Sequence, residues 1–282
     1  MCIRDRPEVE TMVRGVRDHL IQRQIQATRF CRCPCKPIQI SPARAQFRRI
    51  LNDRQILNVK RLAKRILIEL DQSRFIVIEP RMTGLLLVSS PPTQDHRRIQ
   101  WDLSPPRASL ASSFEFWDRR GLGTVRVFNE QEMAKLYARL GPDPLEMTPI
   151  EWERQLHRTN RPIKTALLDQ KLVVGIGNIY ASEILHLARV SPEAAAGSLS
   201  AKRIARIAFA SLQILNDAIR YEGSTLGDGT YRNALNVKGG YQNKHCVYQR
   251  EGQLCPTCSR TTICRIVQAQ RSTFYCPKCQ RT

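Results

Sequence analysis

Val9, Met12, Val13, Val16 and Leu20 recur at three- and four-residue spacing, which puts them on one apolar stripe of a helix. Pro7 suits the first turn of that helix, and Glu8 and Glu10 favour its positive end. From about residue 50 to 128 the texture changes to short apolar runs. Ile66-Leu67-Ile68, Phe75-Ile76-Val77-Ile78, Leu85-Leu86-Leu87-Val88 and Thr124-Val125-Arg126-Val127 predict strands of a β-sandwich. Gly141-Pro142-Asp143-Pro144 breaks the pattern and marks a domain boundary. Helices are predicted beyond it over about 149–157, 162–168, 179–188 and 200–221. Ile204, Ile207, Ala208, Leu212, Leu215 and Ile219 form the core-facing stripe of the last. Residues 223–242, rich in glycine and polar side chains, read as a mobile loop. There are no internal repeats.

Charge narrows the class of partner. With 45 Lys+Arg against 25 Asp+Glu in 282 residues, the formal charge is +20. That excess suits a polyanion, nucleic acid ahead of an anionic membrane, although a solvated basic surface is the plain alternative. No stretch approaches the ~20 apolar residues of a membrane span, and the charged first ten residues do not read as an export signal. Ten cysteines then fit a reducing cytoplasm.

Four of these cysteines carry a pattern. Cys255-Pro-Thr-Cys258 and Cys276-Pro-Lys-Cys279, separated by 17 residues, match a tetrahedral zinc site of two knuckles. Two disulfides in a secreted domain, or a redox pair, are the alternatives; a redox pair needs no second pair. The remaining six show no complete second metal pattern, and Cys31-x-Cys33-x-Cys35 reads as incidental. Gly175-Ile176-Gly177-Asn178 precedes a helix. There Asn178 is a suitable N-cap, and the glycines let a phosphate reach the backbone N–H groups; capping without a ligand is the alternative.

Several motifs occur in order: Pro7-Glu8-Val9-Glu10-Thr11, Arg81-Met82-Thr83-Gly84, Gly141-Pro142-Asp143-Pro144-Leu145, Gly175 to Glu183 and Gln270 to Gln280. With them the chain, from about residue 7 onward, resembles the formamidopyrimidine-DNA glycosylase/endonuclease VIII family. The resemblance implies an α+β architecture: an N-terminal catalytic β-sandwich domain over 1–136, a helix–two-turn–helix domain with a lesion loop over 137–243, and a β-hairpin zinc finger over 244–282. It implies a monomer gripping double-stranded DNA in the cleft between them, in a bacterial cytoplasm near the nucleoid, with one structural zinc on Cys255, Cys258, Cys276 and Cys279. The implied activity is bifunctional: removal of oxidised purines, then cutting of the abasic strand by β,δ-elimination. An N-terminal proline amine attacks C1′ of a flipped-out nucleotide, because only an amine can form the iminium electron sink.

Carried onto this sequence, the resemblance makes Glu8 the buried acid near the nucleophile and Lys64 the β-hairpin lysine on the lesion-flanking phosphates. Arg271 becomes the zinc-finger arginine clamping the same phosphates. Tyr248, Arg265 and Asn178 match phosphate-binding positions, Lys164 lies in the segment facing the lesion nucleotide, and Arg98 falls near a basic DNA-contacting position. Met82, Arg120 and Leu122 match the side chains that fill the gap left by the extruded base.

Three departures stand out. Leu122 replaces the usual phenylalanine, and Glu79 replaces a phosphate-contacting histidine, a substitution expected to repel phosphate. Counting back from Pro7 puts Arg4 where the family's proline belongs and Asp5 at the glutamate that follows it, with Met1 and Cys2 as an extension. A misassembled or mispredicted start is the preferred explanation; if the start is real, the amine sits about two or three residues out of register, beyond the tolerance of near-attack geometry. The readings left are a glycosylase and lyase, a non-catalytic binder of damaged or abasic DNA, and an unrelated zinc-ribbon factor.

Overall fold

A computed structural model describes residues 4–104 and 109–281; Met1 and Cys2 of the extension lie outside them. The elements run α1 (Arg6–Leu20), β1 (Gln24–Phe30), β2 (Gln39–Ser41), α2 (Arg44–Leu51), β3 (Ile56–Leu62), β4 (Arg65–Leu70) and β5 (Arg74–Glu79). Then come β6 (Gly84–Leu87), β7 (Arg97–Ser104), β8 (Ser113–Asp118), β9 (Thr124–Phe128) and α3 (Glu130–Tyr137). The rest of the chain supplies α4 (Pro149–Leu156), α5 (Ile163–Leu167), α6 (Asn178–Ala188), α7 (Ala201–Arg220), β10 (Cys264–Gln268) and β11 (Arg271–Tyr275). They gather into two compact units, one of residues 7–138 with 221–240, the other of 1–6, 139–220 and 241–282. No described helix is long and apolar enough to cross a membrane.

The first unit holds two sheets, ordered β1-β7-β8-β6 and β2-β9-β5-β4-β3. Every pairing is antiparallel except the parallel one of β2 with β9. One apolar cluster draws Ile25, Leu86, Trp101 and Phe116 from one sheet, Val59, Ile68, Ile76 and Val125 from the other, and the predicted α1 stripe. This shared core makes the layers a sandwich. All four predicted strand runs are strands. β1 and α2 lie before the predicted β region, because alternating half-buried positions such as those of Gln24–Phe30 give no apolar run. The stretch 223–242, read from composition as a mobile loop, is partly packed: Tyr231 and Ala234 are buried in this core, and Val88 N–H donates to Ala234 O.

In the second unit α4 starts at Pro149 behind a capping box, Thr148 and Glu151 exchanging hydrogen bonds. The α7 stripe is buried as predicted at Ile204, Ile207, Ala208, Leu215 and Ile219, but Leu212 is exposed.

α1 also anchors the β3–β4 hairpin. Glu10 Oε2 accepts from Arg61 Nε at 3.0 Å, and Arg61 Nη1 donates to Ala63 O at the turn. Burial raises the Glu10 pKa, but the hydrogen bonds and charges of Arg14 and Arg61 outweigh it and hold the carboxyl below its ordinary value. A lowered folded pKa adds stability above the unfolded value of about 4.3, and that stability is lost as pH falls through the folded value. Glu10→Gln should therefore destabilise the protein more at pH 7 than at pH 3, read as urea midpoints. Equal midpoints at pH 7 would contradict this.

Candidate functional site

The glycine turn before α6 receives the start of the chain. A β-carbon on Gly177 would fall 1.8 Å from Asp5 Oδ1, and one on Gly175, whose φ is +84°, 2.7 Å from the Arg6 β-carbon. The glycines thus admit residues 5 and 6 rather than a phosphate. Asp5, 1% exposed, places its carboxylate at the positive end of α6, where an anion is favoured. Arg6 N–H donates to Gly175 O, and Arg6 Nε donates to both carboxylate oxygens of Asp143, at 3.0 and 3.2 Å. Asp143 belongs to the Gly-Pro-Asp-Pro motif, which thereby clamps the chain start as well as breaking the helical pattern. Arg4, at the position of the expected nucleophile, is buried here too.

Asn178 is not the N-cap of α6; Gly177 is. The Asn178 side chain instead reaches the β10–β11 hairpin, its Nδ2 donating to Ser272 O at 2.9 Å and its Oδ1 accepting from Lys164 Nζ at 2.6 Å. Lys164 is fully buried and also donates to Thr273 Oγ1 at 2.7 Å and Ser272 O at 3.2 Å. Burial, and after it the charge of Arg271, pulls its pKa down to about 7, while three acceptors favour the ammonium. Arg271 itself is exposed beside the two-residue turn of Ala269 and Gln270, both at positive φ. Arg265 on the partner strand is exposed, with Nε donating to Ser272 Oγ. The Tyr248 ring packs edge-on against Phe274, and its N–H, with those of Cys246 and Val247, donates to the buried Glu183 carboxylate. Burial pushes that carboxyl up; the three amide donors pull it back.

In the first unit Lys64 sits at the tip of the β3–β4 hairpin, beside Ala63 at φ 55°. Glu79 does not present a bare negative charge. Arg65 Nε and Arg81 Nη2 each lie 2.8 Å from one of its oxygens, which offsets the expected repulsion. Asp118 organises the loop that follows it: Oδ1 accepts from Thr83 Oγ1 and Arg120 N–H, and Oδ2 from Gly123 N–H. This holds Arg120 against Met82, with Nη1 3.3 Å from the sulfur, and places half-buried Leu122 in the same loop. Arg98 is buried, and its Nε and Nη2 both donate to Asp118 O, so its guanidinium braces this loop from within. Glu8 is likewise engaged inward, its Oε1 accepting from Ser224 N–H at 3.0 Å. It tethers the segment after α7.

The four finger sulfurs lie within 4.8 Å of one another, with Cys255–Cys279 at 3.8 Å and Cys258–Cys276 at 3.7 Å. A tetrahedron with metal–sulfur bonds of about 2.3 Å has edges of about 3.8 Å, so the residues fit a thiolate-held ion. Backbone donation from Arg260 pulls the Cys258 thiol down to about 7, while burial pushes Cys279 up. A divalent ion supplies the counter-charge that lets all four ionise. Gln280 Oε1 accepts from Cys276 N–H and its Nε2 donates to Val190 O, tying the knuckle to the segment after α6.

Three family models cover most of the chain. The formamidopyrimidine-DNA glycosylase N-terminal domain matches residues 5–125, its H2TH domain 140–229, and a zinc finger found in FPG and IleRS 252–282. The formamidopyrimidine-DNA glycosylase of Chloroflexus aggregans is 38% identical over 278 residues, 97% of each chain. The crystal structure of the MutM (Fpg) protein from Thermus thermophilus superposes with a TM-score of 0.84 at 33% identity, covering 98% of both chains. That of Lactococcus lactis Fpg with DNA containing an abasic site gives 0.85 at 26% identity, covering 99% and 100%.

The chain belongs to the formamidopyrimidine-DNA glycosylase family. Membership settles the metal of its finger as zinc, one ion on Cys255, Cys258, Cys276 and Cys279. A residue that sequence reasoning missed as a candidate acid is Asp5, buried at the position that the resemblance gives to a glutamate. The available signal was the register counted back from Pro7.

A ribbon this small has little core, so zinc binding and folding are coupled. Cys258→Ser should bind no zinc at the finger and lose amide-exchange protection over residues 252–281, while α7 stays protected. Full protection of the hairpin in the zinc-free variant would contradict this.

Proposed function

We propose that this protein is a bifunctional DNA glycosylase and abasic-site lyase that excises oxidised purines from duplex DNA. The observation that carries the reading is end-to-end likeness, 38% identity over 97% of the chain, to formamidopyrimidine-DNA glycosylases. Solved relatives hold abasic-site DNA and a Fapy-dG-containing DNA. In this reading Lys64 and Arg271, each at a hairpin tip, and Arg265, near the start of β10, meet the phosphates around the lesion, the planar guanidinium of Arg271 gripping two oxygens. Met82 and Leu122 wedge the gap left by the flipped nucleotide, and Arg120 contacts the orphaned base. Lys164, Asn178, Tyr248 and Arg98 are positioning residues, because their polar groups or rings are engaged inside the protein. Zinc holds the finger in shape.

The chemistry requires an amine. Its nitrogen bonds to C1′ as the glycosidic bond breaks, and the base leaves with the electron pair and takes up a proton. Loss of the amine proton and opening of the sugar give the iminium. Removal of a C2′ proton then expels the 3′ phosphate, and a second elimination expels the 5′ phosphate. Asp5, buried next to the nucleophile position, is the acid and base nearest in sequence, and Glu8 positions the 221–240 segment. The competing reading, a binder that does not cut, rests on Arg4 standing where the resemblance expects a proline, and the end-to-end likeness to glycosylases weighs against it.

Borohydride trapping on abasic duplex DNA separates the two. The chain as it stands should trap weakly or not at all yet bind, with affinity that falls steeply with salt as phosphate contacts release counterions. Replacing residues 1–6 by Met-Pro-Glu-Leu should restore trapping and excision of oxidised purines, and Arg271→Ala in that background should abolish strand cleavage. Efficient trapping by the unaltered chain would show another amine at work, and failure of the repaired chain would favour the binder.

A further inference from the structure

Cys31-x-Cys33-x-Cys35 has no partner in the linear sequence, but folding gives it one. β1 ends at Phe30, and the loop of residues 31–38 is pinned at both ends: Cys31 N–H donates to Arg98 O at 3.0 Å, and Gln39 N–H to Gly123 O at 3.2 Å. Between these anchors the sulfurs of Cys33 and Cys35 meet His96, the residue before β7. The two sulfurs and an imidazole nitrogen lie within 4.8 Å of one another, and Cys35 Sγ is 3.5 Å from His96 Nδ1. All three side chains are half-buried, so an ion has access. Trp117 packs edge-on against the imidazole, with centroids 5.4 Å apart and planes at 79°, and Trp117 Nε1 donates to Thr93 O. The histidine is therefore held in place before any ligand arrives.

We propose that Cys33, Cys35 and His96 form a second metal site, separate from the finger, for a thiophilic divalent cation of the zinc class. A tetrahedral ion with bonds of about 2.3 Å to sulfur and about 2.05 Å to nitrogen sets a sulfur–nitrogen distance of about 3.5 Å, which is the Cys35–His96 separation. On binding, both thiols release their protons to solvent, and the imidazole ligates through Nδ1. Two thiolates neutralise the dication, and the fourth position stays open to water. The site bears on the loop that carries the wedge residues. Gly121, at φ +62°, backs onto this same segment so closely that a β-carbon there would lie 2.0 Å from Lys36 O. An ion joining residues 33 and 35 to His96 clips this underlying loop to the start of β7, beneath Arg120 and Leu122.

The test is zinc stoichiometry of the full chain, kept reduced with a phosphine and dialysed against buffered Zn2+. The wild type should hold two zinc ions, Cys33→Ser/Cys35→Ser one, and Cys31→Ser still two. Cys258→Ser should lose the finger ion and keep the other. One ion in the wild type, or two in the double variant, would overturn the proposal. A second measurement needs no substitution. Iodoacetamide mapping should find Cys33 and Cys35 protected when Zn2+ is added to chelator-treated protein, with Cys31 still reactive. Equal alkylation of Cys33 and Cys35 with and without Zn2+ would overturn it as well.

Discussion

One buried ammonium fixes the geometry of the helical unit. Lys164 Nζ, shut away from solvent, is shared among Asn178 Oδ1, Thr273 Oγ1 and Ser272 O, and so joins α5, the start of α6 and β11 at one point. A buried amino group in such a place is tolerable only while it is hydrogen-bonded, and loss of a partner leaves a buried polar group unsatisfied. The acceptors are therefore not interchangeable surface contacts. They specify where the hairpin sits on α6, and the same helix end, through its glycine turn, receives Asp5 and Arg6.

The zinc finger works from the opposite end of that hairpin. Cys276 closes β11 on the metal side, while Arg271 opens it on the side of the Lys164 network. Glu183 adds a third restraint, its carboxylate gathering the N–H groups of residues 246–248 ahead of the first knuckle. With both ends held, the proposed phosphate clamp at Arg271 stands on a hairpin fixed from two sides. Asp118 does the same for the loop after β8, where one carboxylate and the buried Arg98 fix Arg120 against Met82.

Much of this was legible in the sequence. The α1 stripe, four strand runs, the helices after Gly141 and the two knuckles each carry a periodic or spaced signal, and the ordered motifs carry the family. What was not legible depends on contacts distant in the chain. The glycines of Gly175-Ile176-Gly177 look like a phosphate cradle until Asp5 and Arg6 are seen against them. Glu79 looks repulsive until Arg65 and Arg81 are placed on it. Arg98 and Lys164 look like exposed basic residues, because burial of a charge leaves no mark in composition. Tyr231 and Ala234 sit in a polar, glycine-rich stretch whose contacts come from α1 and from Val88, just past β6. His96 is 61 residues from Cys35, beyond any spacing rule.

The most direct test of the account is amide hydrogen exchange across residues 264–275 in zinc-loaded Lys164→Met, with abasic-duplex affinity measured on the same sample. If the buried ammonium seats the hairpin, zinc stays bound while protection at the Arg271 end falls and DNA affinity drops with it. Unchanged protection and unchanged affinity would show that zinc and packing alone position the hairpin, and would contradict the account.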